Sequence, residues 1–154
     1  MDVKEIMVEK VVSIQVDATV KDAVDLMNQH DIGCLIVDKN GEAKGIITER
    51  DVLKRVVSES KDTELTKVSH AMSKPLVIGG PTMYVEDAAK LMLKKNIKKL
   101  PIMENGQLVG IITLSDIARV ASIEPQIAKV IEELTKKGWL PSKRMKKVVE
   151  FYIA

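Results

Sequence analysis

The chain has 154 residues, 45% of them hydrophobic and 30% charged, enough to bury the core of one compact unit or of two small ones and too apolar for disorder throughout. A net charge of +2 does not by itself select nucleic acid as a partner, no apolar run approaches the ~20 residues of a membrane span, and the opening Met1-Asp2-Val3-Lys4-Glu5 lacks the order of a signal peptide, so the expectation is a cytoplasmic protein without membrane contact. The single Cys34 cannot close an internal disulfide, and His30 and His70 have no acidic or sulfur ligand at useful spacing, so no metal site is expected.

In chain order, Val11 to Val16 reads as a short β-prone run. Thr19 then caps a helix whose apolar residues Val20, Ala23, Val24 and Met27 recur at helical spacing, with Asp22 completing a capping-box pair. Cys34 to Val37 and Ala43 to Ile47 form a hairpin around Lys39-Asn40-Gly41-Glu42, where Asn-Gly supplies the positive φ of a tight turn. A helix over 49–57 follows, and the polar residues 58–67 read as a surface linker. The order then returns: strand 76–78, helix 85–95, hairpin 100–112 around Asn105-Gly106, and helix 115–122.

This return is a duplication. An offset of 65 aligns residues 3–55 with 68–120 without a gap, and 17 of the 53 positions are identical. Chance would supply about three at ordinary residue frequencies. The fold class expected is α+β (mixed α/β): two β-α-β-β-α motifs, 1–57 and 68–122, each a three-stranded sheet with helices on one face. Apolar surface is left over on each, so the copies are expected to pack as a pseudo-two-fold pair.

Residues 123–154 lie outside the repeat. Ile127, Val130, Ile131 and Leu134 make an apolar stripe on a helix starting near Pro125 and stopped by Gly138. Pro141 starts a second helix carrying Met145, Val148, Val149 and Tyr152 on one face. The basic cluster of Lys136, Lys137, Lys143, Arg144, Lys146 and Lys147 reads first as a solubilising face, and second as a surface for nucleic acid, an acidic partner or anionic lipid.

The stretch with chemical content is Thr48-Glu49-Arg50-Asp51, repeated as Thr113-Leu114-Ser115-Asp116. Each sets a hydroxyl and a carboxylate beside the free N–H groups of a helix start, a place to hold a ribose-phosphate; taken alone, the same spacing is a capping signature. Met7, Met27, Met72 and Met92 read as core filler, and Lys98-Lys99 as a solvated helix end. There is no nucleophile with base and orienting group, no P-loop and no Rossmann glycine pattern, so an enzyme is not expected.

Met72-Ser73-Lys74-Pro75, Leu100-Pro101-Ile102, Asn105-Gly106 with Gly110-Ile111-Ile112-Thr113, and Asp116, together with their first-copy counterparts, resemble the tandem cystathionine β-synthase (CBS) domain, or Bateman module, over residues 3–120. Ile36 stands where the family has proline, as the second copy does at Pro101, and is expected to loosen the strand there. The resemblance implies a non-catalytic sensor that takes adenosine-containing ligands in clefts between the copies. AMP, ADP or ATP come first, with S-adenosylmethionine or NAD as alternatives, and no cofactor is required. Carried over by position, one cleft has Thr113, Ser115 and Asp116 for phosphate and ribose, with Met7, Lys10, Val12, Ile32, Gly33 and Cys34 around the base. Gly33 and Cys34 are expected to leave room there. The other cleft has Thr48, Arg50 and Asp51 facing Met72, Pro75, Val77, Ile97, Lys98 and Lys99. The resemblance further implies a flat homodimer through the helices and a separate regulated protein. A nucleic-acid-binding protein using the basic extension and a dimerisation adaptor with empty clefts are the competing readings.

Overall fold

The computed structural model describes residues 1–136. The expected helix after Pro141 and the basic cluster, except Lys136, lie outside the described residues; the Lys136 ammonium pairs with Glu132 at 2.5 Å. Among the described residues no helix is long and apolar enough to cross a membrane.

The chain divides into two compact units, Val11–Val77 and Met1–Lys10 together with the chain from Ile78 onward. Each copy therefore lends its leading segment to the unit built by the other. In the first unit, β1 (Ser13–Gln15) runs parallel to β2 (Cys34–Lys39), which pairs antiparallel with β3 (Glu42–Thr48), giving the order β1-β2-β3. Helix α1 (Val20–His30) lies between β1 and β2 in sequence, α2 (Glu49–Val52) follows β3 and widens into a π turn over Leu53–Val57, and the lent segment carries α3 (Val68–Ala71). The helix expected over 49–57 is thus α-helical only in its first turn, with the Ser58 N–H donating to Leu53 O at 2.9 Å beyond it.

Thr19 caps α1 as expected: its hydroxyl accepts from the Asp22 N–H at 3.1 Å, and the Asp22 carboxylate accepts from the Thr19 N–H at 3.0 Å. The hairpin turns on Asn40 at φ 53° and Gly41 at φ 81°, the left-handed pair that a tight two-residue turn requires. One apolar cluster joins Val20, Ala23 and Met27 of α1 to Leu35, Val37 and Ile47 of the sheet and to Val68 and Ala71 of the lent segment.

The second unit repeats the plan with α4 (Val85–Lys95), β4 (Lys99–Glu104), β5 (Gln107–Thr113) and α5 (Leu114–Ala121), and adds α6 (Pro125–Lys136). Ile127 and Ile131 of α6 are buried, and the helix packs on α4 and α5, the stripe expected of it. The strand expected over 76–78 is absent. Its place is taken by a single parallel bridge between Gly79 and Ile102, and the sheet has two strands.

Three substitutions between the copies account for this. Gly79 and Gly80 stand where the first copy has Ile14 and Gln15, and glycine weakens a strand. Pro101 has no N–H, whereas Ile36 at the same position donates to Val12 O at 3.1 Å. Ile36, expected to loosen its strand, in fact supplies the ladder bond that lets β1 join.

Candidate functional site

The lent segments meet the edge strands through paired backbone bonds. In the first unit the Ser73 N–H donates to Ile46 O at 2.8 Å and the Ile46 N–H to Ser73 O at 3.1 Å; in the second, Val8 and Ile111 exchange the same pair at 2.9 Å each. The contact is close enough to require glycine opposite it. A Cβ on Gly45 would lie 2.7 Å from Ser73 O and 2.9 Å from Met72 Sδ, and one on Gly110 would lie 2.6 Å from Met7 Sδ and 3.1 Å from Val8 O. This close approach is the reason for the Gly45/Gly110 repeat, and it carries Met72 and Ser73 to the end of the strand that leads into Thr48 and Asp51.

Both Thr-x-x-Asp stretches are completed helix caps. Asp51 Oδ2 accepts from the Thr48 N–H at 2.9 Å and its hydroxyl at 3.1 Å, while the Asp51 N–H donates to Thr48 Oγ1 at 3.2 Å. In the second unit Asp116 Oδ2 accepts from the Thr113 N–H at 2.8 Å and its hydroxyl at 2.6 Å, and the Asp116 N–H donates to Thr113 Oγ1 at 3.2 Å. The cap fixes the carboxylate and uses one oxygen, leaving Oδ1 as the edge available to a partner. Neither acid points into bulk water: the Asp51 side chain is 12% exposed and that of Asp116 13%.

The helix N–H groups are more heavily used than the sequence implied. The Glu49 N–H donates to Gly33 O at 3.1 Å and the Leu114 N–H to Lys98 O at 2.9 Å, and the third N–H of each helix goes to the threonine hydroxyl. Only the N–H groups of Arg50 and Ser115 are left by these contacts in the first three positions, so the expected cluster of free donors shrinks to one per copy.

The two carboxylates differ at Oδ1. Asp51 Oδ1 accepts from the Ser73 hydroxyl at 2.9 Å, with the Arg55 guanidinium at 3.8 Å. Arg55 also donates to Ala71 O at 3.0 Å and Met72 O at 2.5 Å, tying the helix to the lent segment. Asp116 Oδ1 has Arg119 at 3.5 Å, and the position equivalent to Ser73 is Val8, which has no side-chain donor. Ser73 and Arg55 were not singled out from sequence. Ser73 lies within Met72-Ser73-Lys74-Pro75, and its mismatch with Val8 across the repeat is the sequence signal that marks it.

The remaining expected residues divide between the units. Val12, Ile32, Gly33, Cys34, Arg50, Pro75 and Val77 share the unit of Thr48, Asp51 and Met72, whereas Met7, Lys10, Ile97, Lys98, Lys99 and Ser115 share that of Thr113 and Asp116. Within a unit the register sets Cys34 beside Thr48 and Lys99 beside Thr113. The end of the exposed Glu49 side chain lies where a Cβ on Gly33 would project, and Ile32, Gly33 and Glu49 together line a cavity of about 440 Å³. No group of three or more metal-ligating side chains occurs among the described residues.

A CBS domain model matches residues 3–58 and again 68–123. The chain is 40% identical over 116 residues to the CBS domain-containing protein YhcV of Bacillus subtilis, covering 75% of this chain and 82% of that one. It is 42% identical over 113 residues to an uncharacterized protein of Methanopyrus kandleri, covering 72% of this chain and 56% of its relative. Among solved structures, the hexameric CBS-CP12 protein from bloom-forming cyanobacteria superimposes with a TM-score of 0.73 at 30% identity, covering 99% of this chain and 96% of that one.

Proposed function

This chain belongs to the CBS domain family, with two such domains in tandem, and from that premise we propose that it is a non-catalytic regulatory module that binds adenosine-containing ligands and signals to a separate partner protein. AMP, ADP and ATP are the first candidates; S-adenosylmethionine and NAD carry the same adenosyl diol and fit the same chemistry. The observation that carries the reading is the state of Asp116. Its Oδ2 is spent on the helix cap, its side chain is nearly covered, and among the described residues its Oδ1 has an ion-pair partner in Arg119 at 3.5 Å and no side-chain hydrogen bond. A fixed, mostly desolvated carboxylate edge is what a ribose cis-diol needs, since each hydroxyl donates and the acceptor loses little water on binding. The proposed protein is cytoplasmic and self-associates, as the hexameric CBS-CP12 protein does.

Calorimetric titration of the full chain with AMP, ATP, S-adenosylmethionine, NAD and a short DNA tests the proposal. Adenosyl compounds bind and DNA does not. Asp116→Ala lowers adenosyl affinity about 10- to 100-fold, the range expected for losing hydrogen bonds to a charged acceptor. If Asp116→Ala and Asp51→Ala both leave that affinity untouched, the site assignment is wrong.

A further inference from the structure

The hairpin end of the first unit's sheet holds a cavity of about 440 Å³ unrelated to the capped aspartates. β1 and β2 are parallel and end there, which brings Asp17 beside Lys39, and β3 begins there with Lys44. The lent segment crosses the same end, its Val68 N–H donating to Ala18 O at 2.8 Å and its Ser69 N–H to Val16 O at 3.1 Å, and so adds Lys67 and Lys74. Buried Met72 and half-buried Val16 line the cavity beneath these exposed lysines. Of the four ammonium groups only that of Lys44 has an ion pair among the described residues, with Glu42 at 2.9 Å.

The duplication supplies an internal control for whether the fold needs this charge. At an offset of 65, Lys39 becomes Glu104, Lys67 becomes Asp2 and Lys74 becomes Glu9, while Met72 is kept as Met7. Equivalent positions thus carry three acids in one unit and three lysines in the other. A solvated face needs no such inversion, and with only Asp17 in the cavity and Glu42 on Lys44 to offset them, the four lysines leave a net positive concavity that favours an anion. Lysine is a compact point charge suited to phosphate oxygens, and 440 Å³ falls within the size of small-molecule sites.

We propose that Lys39, Lys44, Lys67 and Lys74 form a second binding site, for a compact polyanion of the di- or triphosphate class. The site shares Met72 with the expected adenosyl cleft but not its aspartate: it lies at the beginning of β3, and Asp51 follows the end of that strand.

The probe is inorganic triphosphate, titrated calorimetrically into the full chain at low and at moderate salt, with ATP and AMP as parallel arms. Triphosphate binds at one site per chain and weakens as salt rises. The charge-copying variant Lys67→Asp/Lys74→Glu loses at least 10-fold in triphosphate affinity. The milder Lys67→Gln/Lys74→Gln, whose thermal unfolding checks the fold, loses about 3- to 10-fold by removing two unit charges near the surface. AMP affinity is unchanged in both variants, and ATP competition with triphosphate identifies a nucleotide tail as one source of the anion; absence of competition identifies a free phosphate chain as the source. The proposal is overturned if triphosphate does not bind, if both variants bind it like wild type, or if AMP affinity falls in parallel, which would mean one shared site. A change of oligomeric state in the variants with no triphosphate binding overturns it in favour of an interface between copies of the chain.

Discussion

Replacing Gly45 with alanine tests whether the lent segment is held as tightly as the backbone geometry requires. The new Cβ would fall 2.7 Å from Ser73 O and 2.9 Å from Met72 Sδ, against the roughly 3.5 Å at which carbon contacts become favourable, so the strand and the segment must part by about 0.7 Å. Ser73 O is the acceptor for the Ile46 N–H, and the reciprocal bond runs alongside it, so the displacement weakens two backbone bonds worth about 1 kcal/mol each. Overpacking adds about 1–3 kcal/mol, and the stiffer unfolded chain returns about 0.4–1 kcal/mol. The net expectation is a loss of about 3 kcal/mol. Two further glycines calibrate it. At Gly110 the nearest atom is the flexible Met7 side chain, with Val8 O at 3.1 Å, so Gly110→Ala costs about half as much. At Gly106 there is nothing within 4 Å but φ is +78°, so Gly106→Ala costs only the left-handed strain of about 1 kcal/mol. Urea unfolding of the three variants, with m-values checked for constancy, gives the order. If Gly45→Ala proves no more destabilising than Gly106→Ala, the reasoning about the close approach is refuted.

Ser73→Ala removes the hydroxyl that donates to Asp51 Oδ1 at 2.9 Å, and since the acid is partly screened and has Arg55 at 3.8 Å, a loss of about 1 kcal/mol in urea unfolding is expected. Ile127→Ala empties a buried position under α6 and lowers stability by about 3 kcal/mol; an unchanged unfolding midpoint would mean that α6 is not docked. The Asp22 carboxyl is held below its ordinary pKa by the Thr19 backbone N–H and then by its hydroxyl. A depressed folded pKa means that the cap's contribution is complete above the unfolded value and is lost as the pH falls through the folded one. The gap in melting temperature between wild type and Asp22→Ala is therefore full at neutral pH and closes in acid; a gap that persists in strong acid would contradict the cap as its cause.

Much of the fold was readable because local signals and the repeat agreed. Thr19 with Asp22, the two Asn-Gly turns, and the apolar stripe of Ile127 and Ile131 each depend on a few neighbouring residues, and each forms as expected. The missing third strand of the second unit was harder to see, since it depends on what Pro101 fails to donate to a strand more than 20 residues away. The exchange of leading segments is long-range by nature. Gly45 and Gly110 announce that something approaches closely, and nothing in the sequence says what. The approach of Glu49 to Gly33 and the use of Oδ1 of Asp51 by Ser73 likewise depend on side-chain placement that periodicity does not encode.

Positions that the two copies share and positions where they part separate architecture from site chemistry. Thr48 and Thr113, Asp51 and Asp116, Gly45 and Gly110 are identical, and every one of them is used by the fold: the hydroxyl and Oδ2 close a cap, and the glycine admits a lent segment. Shared identity therefore does not by itself indicate a ligand. What distinguishes the two carboxylates is the residue brought opposite Oδ1, Ser73 in one unit and valine in the other. On the proposed reading, a diol at Asp51 competes with a hydrogen bond already made to Oδ1, whereas at Asp116 it meets an oxygen with no side-chain hydrogen bond among the described residues, and that competition costs up to about 1 kcal/mol, or roughly 5-fold in affinity. Adenosyl ligands should accordingly fill the Asp116 position first. Ser73→Ala should narrow the difference in a two-site titration, and an Asp51 position that fills first in the wild-type chain would show that Ser73 is not what sets the order.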